Sequence, residues 1–294
     1  MKRMLYCFLV GFAGLVSAEP FTLASFNVRC PADGGDNAWQ KRMPRVVQVI
    51  KDHCFDVFGV QEATAGELKM LDAGLPGFAR VGCGRNADRG GETMAIFFST
   101  NRFDCLESGT YWLSEHPDQP GTRYTGAGCP RTCTWAKLRD RVSGKAFLYC
   151  NTHLDHISSQ ARINGMNVLL ARSVRPALER GETVFLTGDL NETLEKTDDP
   201  AMIAQLSGPR LAAAAEKNPI ALLSTVLKDA YALSKTGHKG PHKTFHGFTG
   251  KAKCRIDYIF VSEGVEVLSH ATLDDQPGGK FASDHYPVAA TLDF

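Results

Sequence analysis

Polar side chains that could act on a substrate recur at one kind of position in this 294-residue sequence, an end of an apolar strand segment. Eight residues share this placement: Asn27, Glu62, His153, Asp189, Asn191, Asp257, Asp284 and His285. Any one of them alone is more often a turn, helix-cap or structural residue. Strands of one sheet end together, however, so the shared placement predicts that these side chains meet on one rim, where α/β proteins carry their sites.

The segments between these positions alternate in character. Apolar strand patterns cover eight segments: 21–29, 56–61, 93–98, 134–139, 146–152, 183–190, 255–261 and the last eight residues. Helices are predicted over 40–53, after the capping-box pair Thr64 and Glu67, over 159–178, and in the alanine-rich region ending at Leu233. The Pro- and Gly-rich stretch 114–130 is predicted to be a long loop. With 43% apolar residues and no linker or repeat, residues 19–294 are expected to form one α/β domain.

Residues 1–18 have the features of a cleavable secretory signal. Lys2 and Arg3 precede an apolar stretch, and small residues at 16–18 end at Ala18. The pattern predicts cleavage after Ala18 and a secreted or periplasmic protein; the alternative is an N-terminal membrane anchor. Beyond this segment no apolar run reaches the roughly 18 residues of a membrane span, so stable membrane insertion is not expected.

The charge balance argues against a surface that coats nucleic acid in general. The formal net charge is +1, and it falls to −1 when Lys2 and Arg3 leave with the signal. One segment, 235–255, differs, because it holds six Lys or Arg, three His and no acidic residue. We expect it to form a positive rim that attracts a phosphate-bearing substrate.

The residue types at the strand ends indicate metal-assisted phosphate chemistry. Carboxylates, two amides and two imidazoles occur there without a Cys or Ser nucleophile beside a base. Oxygen ligands such as Glu62 and Asp284 favour Mg²⁺ or Mn²⁺ over zinc. A divalent cation and imidazolium groups would neutralise charge on phosphoryl oxygens, while a carboxylate activates the attacking water. The expected substrate is therefore a phosphate ester.

Six short motifs make a family recognisable. They are SFN at 25–27, QE at 61–62, NTHLDH at 151–156, GDLN at 188–191, RIDYIF at 255–260 and SDHYPV at 283–288. In this order they resemble the endonuclease/exonuclease/phosphatase superfamily of DNase I-like phosphoesterases. GETMAIFF at 91–98, SGTYWLSEHPDQPG at 108–121 and KTFHGF at 243–248 further resemble an exported bacterial branch, itself similar to CCR4-type deadenylases. The resemblance implies a four-layer α/β sandwich, with two packed mixed sheets flanked by helices.

The resemblance also implies how the metal and the water would be held. Glu62 would be the principal metal ligand, helped by Asn27 and, directly or through water, by Asp284. Asp189 would align and deprotonate the nucleophilic water. Asn191 would hold the phosphate or that water.

Two histidines would act on the phosphoryl oxygens. His153 and His285 would donate hydrogen bonds to the non-bridging oxygens, and each needs an orienting partner. The family suggests Asp257 for His285 and Glu92 for His153. We expect both pairs within hydrogen-bond reach and both imidazoles with raised pKa values.

Several further residues are candidates for contact with substrate. Arg162 on the helix after His153 could reach phosphate, and His246 in TFHGF is placed near substrate by the resemblance. Trp112, at the start of the long loop, could stack on a base or sugar. Asp155 and His156 could brace the loop after His153 or contact substrate.

The sequence favours an exported Mg²⁺- or Mn²⁺-dependent hydrolase of phosphodiester or phosphomonoester bonds, with a nucleic acid or nucleotide as substrate. One alternative is hydrolysis of a lipid or inositol phosphate. Another is a catalytically silent module that binds phosphate ligands, although a pure binder has no need of Asp189.

Overall fold

The computed structural model describes residues 19–194 and 208–294, so the predicted signal at 1–18 lies outside the described residues. Strands β1 to β13 are, in order, Phe21–Asn27, Val57–Ala63, Phe78–Val81, Thr93–Ser99, Phe103–Trp112, Thr132–Asp140, Ala146–His153, Thr183–Asp189, Lys228–Asp229, His238–Lys239, Asp257–Val261, Glu266–Thr272 and Val288–Asp293. Helices α1 to α7 are Trp39–Asp52, Ala65–Gly74, Ser159–Leu169, Arg175–Glu179, Gly208–Ala215, Pro219–Ser224 and Ala230–Leu233.

The strands form two mixed sheets. The first has the order β10-β12-β13-β1-β2-β4-β3, and the second has the order β5-β6-β7-β8-β11-β9. In the first sheet β1 runs parallel to β2, and in the second β7 runs parallel to β8. These two parallel pairs bring four strand ends to the same rim, which carries the site described below.

Alternation of side chains along the central strands produces the layers. In β1, Leu23 packs between the two sheets, whereas Ala24 and Phe26 pack under α1 and α2. In β8, Phe185 packs between the sheets, and Leu186 packs in the core that includes Met166 and Leu169 of α3. Because successive residues of a strand face opposite sides, each sheet buries one face against the other sheet and one against helices. The predicted four-layer α/β sandwich is confirmed.

Local sequence signals account for the first two helices. The apolar face of α1 that includes Val46 and Ile50 is buried, as its spacing predicts. At the start of α2, the Glu67 carboxylate accepts a hydrogen bond from the Thr64 backbone N–H at 2.8 Å. This capping box satisfies an amide that the first helical turn leaves without an intrahelical partner.

A buried polar network holds the two sheets together beneath the rim. Gln61 donates to Asn151 Oδ1 at 2.7 Å, and Asn151 donates to the carbonyl oxygens of Val60 and Ala95 at 3.0 and 2.8 Å. Gly59 makes this close approach possible, because a Cβ atom there would lie 2.5 Å from the Asn151 side chain. The sheets are therefore fixed to each other directly below the site.

Some elements differ from the sequence prediction. The edge strand β5 and the strands β3 and β12 were not predicted. The predicted helix 159–178 is interrupted by a π-helical turn, Leu170–Val174. Part of the alanine-rich region lies outside the described residues. Within the described part of the chain, no helix has the length and apolar character needed to cross a membrane.

Candidate active site

Strand register places three of the polar side chains side by side. His153 at the end of β7 pairs with Asp189 at the end of the parallel strand β8. Asp257 at the start of β11 pairs with Asp189 from the antiparallel side. Asn27 ends β1 in the other sheet and reaches Asp189 across the sandwich, with its Nδ2 3.0 Å from Asp189 Oδ2. The convergence predicted from strand ends is therefore present in the structure.

Asn27 also connects Asp189 to Glu62. Its Nδ2 donates to Glu62 Oε1 at 2.9 Å, and its Oδ1 accepts from the Arg29 backbone N–H at 3.0 Å. The second Glu62 oxygen accepts from the Cys30 backbone N–H at 3.0 Å. Asn27 thus directs its amide nitrogen at the two carboxylates, and its oxygen is engaged by the backbone.

Backbone strain is concentrated at this rim. Glu62, Asn191 and Arg29 have φ values of 68°, 48° and 61°, in the left-handed region that non-glycine residues seldom occupy. At Glu62 the pairing of β2 with β4 shifts register between Val60 and Ala63. The bulge turns the carboxylate of Glu62 out of the alternating strand pattern and into the cleft. Strain of this kind is typical of functional sites.

His285 is held as an imidazolium by surrounding carboxylates. Its Nδ1 lies 2.8 Å from Asp257 Oδ2, and its Nε2 lies 3.8 Å from Asp189 Oδ2. Burial alone would lower the pKa of His285, but the charge and hydrogen bond of Asp257, with the charges of Asp189 and Asp284, raise it to about 10. The expected His285–Asp257 pair and the expected direction of the shift are both present.

His153 differs from the prediction. Its Nε2 lies 2.8 Å from Asn191 Nδ2 and 3.4 Å from Asp189 Oδ2, and its Nδ1 has no hydrogen-bond partner among the described residues. Glu92 does not orient it, because Arg85 binds the Glu92 carboxylate through two hydrogen bonds of 2.5 and 3.0 Å. Burial, followed by the positive charges of Arg131 and His285, lowers the pKa of His153 well below its usual value. The predicted His153–Glu92 pair and raised pKa are therefore wrong.

The carboxylates at the centre are protonated more readily than usual. Burial and the negative charge of Asp257 raise the pKa of Asp189 to about 7. Burial also raises the pKa of Asp284, and the charge of Glu62 adds to the shift. Burial works in the same direction on Glu62, but hydrogen bonds from Asn27 and the Cys30 N–H lower its pKa. Of these three carboxyl groups, Glu62 is the one whose pKa is lowered.

The donor set fits a divalent metal ion. Ligand atoms of Glu62, His153 and Asp189 lie within 4.8 Å of one another, as do those of Asp189, Asp257 and His285. Asp257 Oδ1 is buried with no hydrogen-bond partner among the described residues. Crowded carboxylates with raised pKa values have too little positive charge around them, and a cation would supply it. Glu62 and Asp284 both line the cleft.

The site opens into a cleft of about 610 Å³. Besides Glu62, Asp189, Asn191 and the two histidines, its walls include three arginines that were not predicted: Arg29, Arg85 and Arg131. Arg29 lies on the Glu62 side, 3.8 Å from Asp284 Oδ2. The three arginines lie in loops and not at the ends of apolar strands. The strand-end pattern that predicted the other residues therefore could not predict them. The carboxylates of Glu62, Glu92, Asp189 and Asp284 line the same cleft, so the three arginines offset part of its negative charge.

The predicted positive rim at 235–255 contributes few residues to the lining of the cleft. This segment contributes Phe245 and Cys254 to the cleft wall, but none of its lysines lines the cleft. Arg255 is buried in a double hydrogen bond with Asp229, at 2.7 and 2.8 Å. The arginines that line the cleft come from loops outside this segment.

Three candidates for substrate contact do not line the cleft. Trp112 is 1% exposed and donates its indole N–H to the Arg85 carbonyl oxygen at 2.6 Å. His246 is completely buried, with its ring stacked on Tyr286 at 4.1 Å. Arg162 binds Glu192 at 2.7 Å and the Asp155 carbonyl oxygen at 2.9 Å. Packing and structural hydrogen bonds thus occupy all three side chains, contrary to their predicted contact with substrate.

Comparisons with known proteins agree with this geometry. The endonuclease/exonuclease/phosphatase family model matches residues 24–285. A comparison with curated protein sequences finds no match.

Three solved structures illustrate the similarity. A Bacteroides vulgatus endonuclease/exonuclease/phosphatase is 33% identical, with a TM-score of 0.79, and the match covers 94% of this chain and 99% of that one. A mannosyl-6-phosphatase from Bacteroides thetaiotaomicron is 31% identical, with a TM-score of 0.78 and coverage of 93% and 100%. The human Nocturnin catalytic domain shares the fold at 20% identity, with a TM-score of 0.65 and coverage of 94% of each chain. The chain belongs to the endonuclease/exonuclease/phosphatase family.

Proposed function

We propose that this protein is a Mg²⁺- or Mn²⁺-dependent hydrolase of phosphate esters. The observation that carries the proposal is the meeting of Glu62, Asp189 and His285 in one cleft, with Asn27 joining two of the carboxylates. Family membership supports phosphoester chemistry in general. The choice of metal rests on the oxygen-rich donor set, which suits a hard cation.

The proposed roles of these residues follow from their protonation states. When bound by Glu62 and Asp284, the metal would neutralise charge on the phosphoryl oxygens. Asp189, with a pKa of about 7, is suited to accept a proton from the attacking water near neutral pH. His285, protonated at this pH, would donate from Nε2 to a non-bridging oxygen. Asp257 would keep its ring oriented through Nδ1.

His153 and Asn191 would hold the phosphoryl group as a neutral pair. Their side chains lie 2.8 Å apart in the cleft, and the lowered pKa of His153 keeps its imidazole uncharged. Because the Asn191 amide nitrogen can only donate, His153 Nε2 accepts this hydrogen bond and orients the Asn191 side chain without adding a positive charge. The extra charge stabilisation in the transition state would therefore come from His285 and the metal.

The proposed substrate is a small phosphate ester, a nucleotide or a sugar phosphate. A cleft of about 610 Å³ is of the size that binds small molecules. The sugar phosphate gains support from the mannosyl-6-phosphatase, which is 31% identical over nearly the whole chain. Export to the periplasm or the exterior is proposed from the signal pattern in residues 1–18.

A substrate screen tests the proposal. Purified residues 19–294 would be assayed with Mg²⁺ or Mn²⁺ against DNA, RNA, nucleotides, sugar phosphates, inositol phosphates and phospholipids. We expect hydrolysis of at least one small phosphate ester and its loss in EDTA. Binding of phosphate ligands without turnover of any of these substrates would instead favour the silent binding module.

A further inference from the structure

Arg131 is a buried cation that makes no hydrogen bond to a carboxylate among the described residues. Its side chain is 6% exposed and lines the cleft. The nearest carboxylate, Asp155, lies 3.9 Å from its Nε. That carboxylate already accepts hydrogen bonds from the backbone N–H groups of Gly128, Ile157 and Ser158, at 2.9, 3.0 and 2.8 Å. Asp155 therefore braces the loop and leaves the charge of Arg131 incompletely balanced.

Other buried arginines in the described part of the chain are fully engaged. Arg42 donates to a set of backbone carbonyl oxygens, and Arg255 binds both oxygens of Asp229. Arg131, in contrast, has no hydrogen-bond partner for Nε or Nη1 among the described residues. A buried guanidinium with unused donors is unfavourable unless an anion completes it.

His156 adds a second donor beside Arg131. Arg131 Nη2 lies 2.9 Å from His156 Nδ1. Since a guanidinium can only donate, His156 Nδ1 is the acceptor, and the proton of its neutral ring is on Nε2. His156 is exposed and also lines the cleft. The two residues therefore present a cation and a free N–H donor to the same space.

This pair lies on the His153 side of the site, opposite Arg29. Cys133 of β6 pairs with Thr152 of the antiparallel strand β7, so Arg131 enters the sheet next to the end of β7. Its positive charge is among the causes that lower the pKa of His153. An anion held by Arg131 would thus adjoin the phosphoryl position proposed for His153 and Asn191.

We propose that Arg131 and His156 form an anion subsite for the second negative charge of a terminal phosphoryl group, which makes the protein selective for phosphomonoesters. The inference rests on the proposed phosphoester hydrolysis and names its substrate class. A monoester is a dianion at slightly alkaline pH, with three non-bridging oxygens. A diester has one negative charge and an ester group in place of one of those oxygens, so it cannot use the subsite fully.

The test compares two substrates that share a leaving group. Wild type, Arg131→Gln, Arg131→Lys and His156→Gln would be assayed at pH 8 on p-nitrophenyl phosphate and bis-p-nitrophenyl phosphate. We expect Arg131→Gln to lower kcat/KM for the monoester about 30- to 100-fold, the effect of one charged hydrogen bond, and for the diester less than about 3-fold. Arg131→Lys should recover part of the monoester rate. Arg123→Gln is the matched control, since Arg123 is exposed on the same loop and its one hydrogen bond to the described residues is to the Gly128 carbonyl oxygen.

A binding measurement separates this proposal from the proposed function. Calorimetric titration with inorganic phosphate and dimethyl phosphate reports on the subsite even if neither ester is hydrolysed. Weaker phosphate binding in Arg131→Gln, with dimethyl phosphate unchanged, would support the subsite in an inactive protein and would leave hydrolysis as the failed claim. Equal losses for monoester and diester, or unchanged phosphate binding in a folded variant, would overturn the subsite. If Arg131→Gln does not fold, His156→Gln at its exposed position decides by the same measurements.

In the competing model, the subsite binds a negative charge on the leaving group instead of the second charge of the phosphoryl group. Phenyl phosphate and 4-carboxyphenyl phosphate differ only in this charge. If Arg131→Gln lowers kcat/KM only for 4-carboxyphenyl phosphate, the subsite binds the leaving group and the proposal is overturned. Equal effects on both support it.

Discussion

His285 Nδ1 and Asp257 Oδ2 are 2.8 Å apart in a pair that is almost completely buried. The carboxylate orients the imidazole so that Nε2 faces Asp189, and it stabilises the positive charge of the ring. This contact joins β11 of the second sheet to the segment that precedes β13 of the first. The two sheets therefore cooperate in setting both the charge and the direction of one side chain.

Asp257→Asn should lower activity about 100-fold and move the alkaline limit of activity to lower pH. With the pKa of His285 raised to about 10, its positive charge is present below that pH and is lost as the pH rises through it. Without the carboxylate, the charge would be lost closer to the usual pKa of histidine. A pH–rate profile checks this. Asp104→Asn, which removes exposed ion pairs with Arg139 and Arg141, should leave the profile unchanged.

Metal binding should stabilise the protein more at pH 8 than at pH 5. Raised pKa values at Asp189 and Asp284 mean that the folded, metal-free protein gains stability from protonation, and this gain is lost as the pH rises through about 7. A divalent ion competes with those protons. We expect Mn²⁺ to raise Tm by roughly 2–4 °C or more at pH 8 and by much less at pH 5, measured by calorimetry. A larger rise at pH 5 would contradict the assignment.

Glu62→Gln should increase the metal concentration needed for half-maximal rate by at least about tenfold, equivalent to roughly 1.4 kcal/mol of lost metal binding. The amide keeps the size of the side chain and removes the ionised oxygen that faces the cleft. Metal titrations of the hydrolysis rate provide the measurement. Glu107→Gln, an exposed glutamate outside this cleft, is the control. An unchanged metal requirement would remove Glu62 from the ligand role.

Gly59→Ala should destabilise the fold by about 1–3 kcal/mol, because the new methyl group would lie 2.5 Å from Asn151 between the sheets. Urea unfolding gives the difference in the free energy of unfolding. Gly66→Ala in α2 is the matched control, since a Cβ atom there meets nothing within 4 Å. This control should be stabilising by up to about 1 kcal/mol, because alanine favours a helix. Equal stability of the two variants would refute the close packing.

The alternation of strands and the placement of polar residues at their ends were sufficient to predict the central part of the site. Asp189, His153 and Asp257 lie in neighbouring strand positions, so strand register alone brings them together. These residues could be identified from the sequence because the apolar pattern of each strand stops where the polar residue begins. The same reasoning recovered the apolar face of α1 and the capping box of α2.

Residues positioned by loops were predicted poorly, since their neighbours depend on tertiary packing. Glu92 was predicted to orient His153, but its carboxylate binds Arg85, which lies only seven residues away in the sequence. The indole of Trp112 is taken up by a buried hydrogen bond to the same loop. Arg131 follows a long loop, and no local pattern in the sequence distinguishes it from the arginines that form surface ion pairs.

The most direct test of the central claim compares wild type with Asp189→Asn on the best phosphate ester found, with Mg²⁺ or Mn²⁺. Asparagine keeps the shape of the side chain but cannot accept the proton of the attacking water. We expect a loss of at least about 10²- to 10⁴-fold in kcat, the usual contribution of a general base, with Tm retained and activity in wild type abolished by EDTA. Equal rates for the two proteins, or wild-type turnover unaffected by EDTA, would contradict the account.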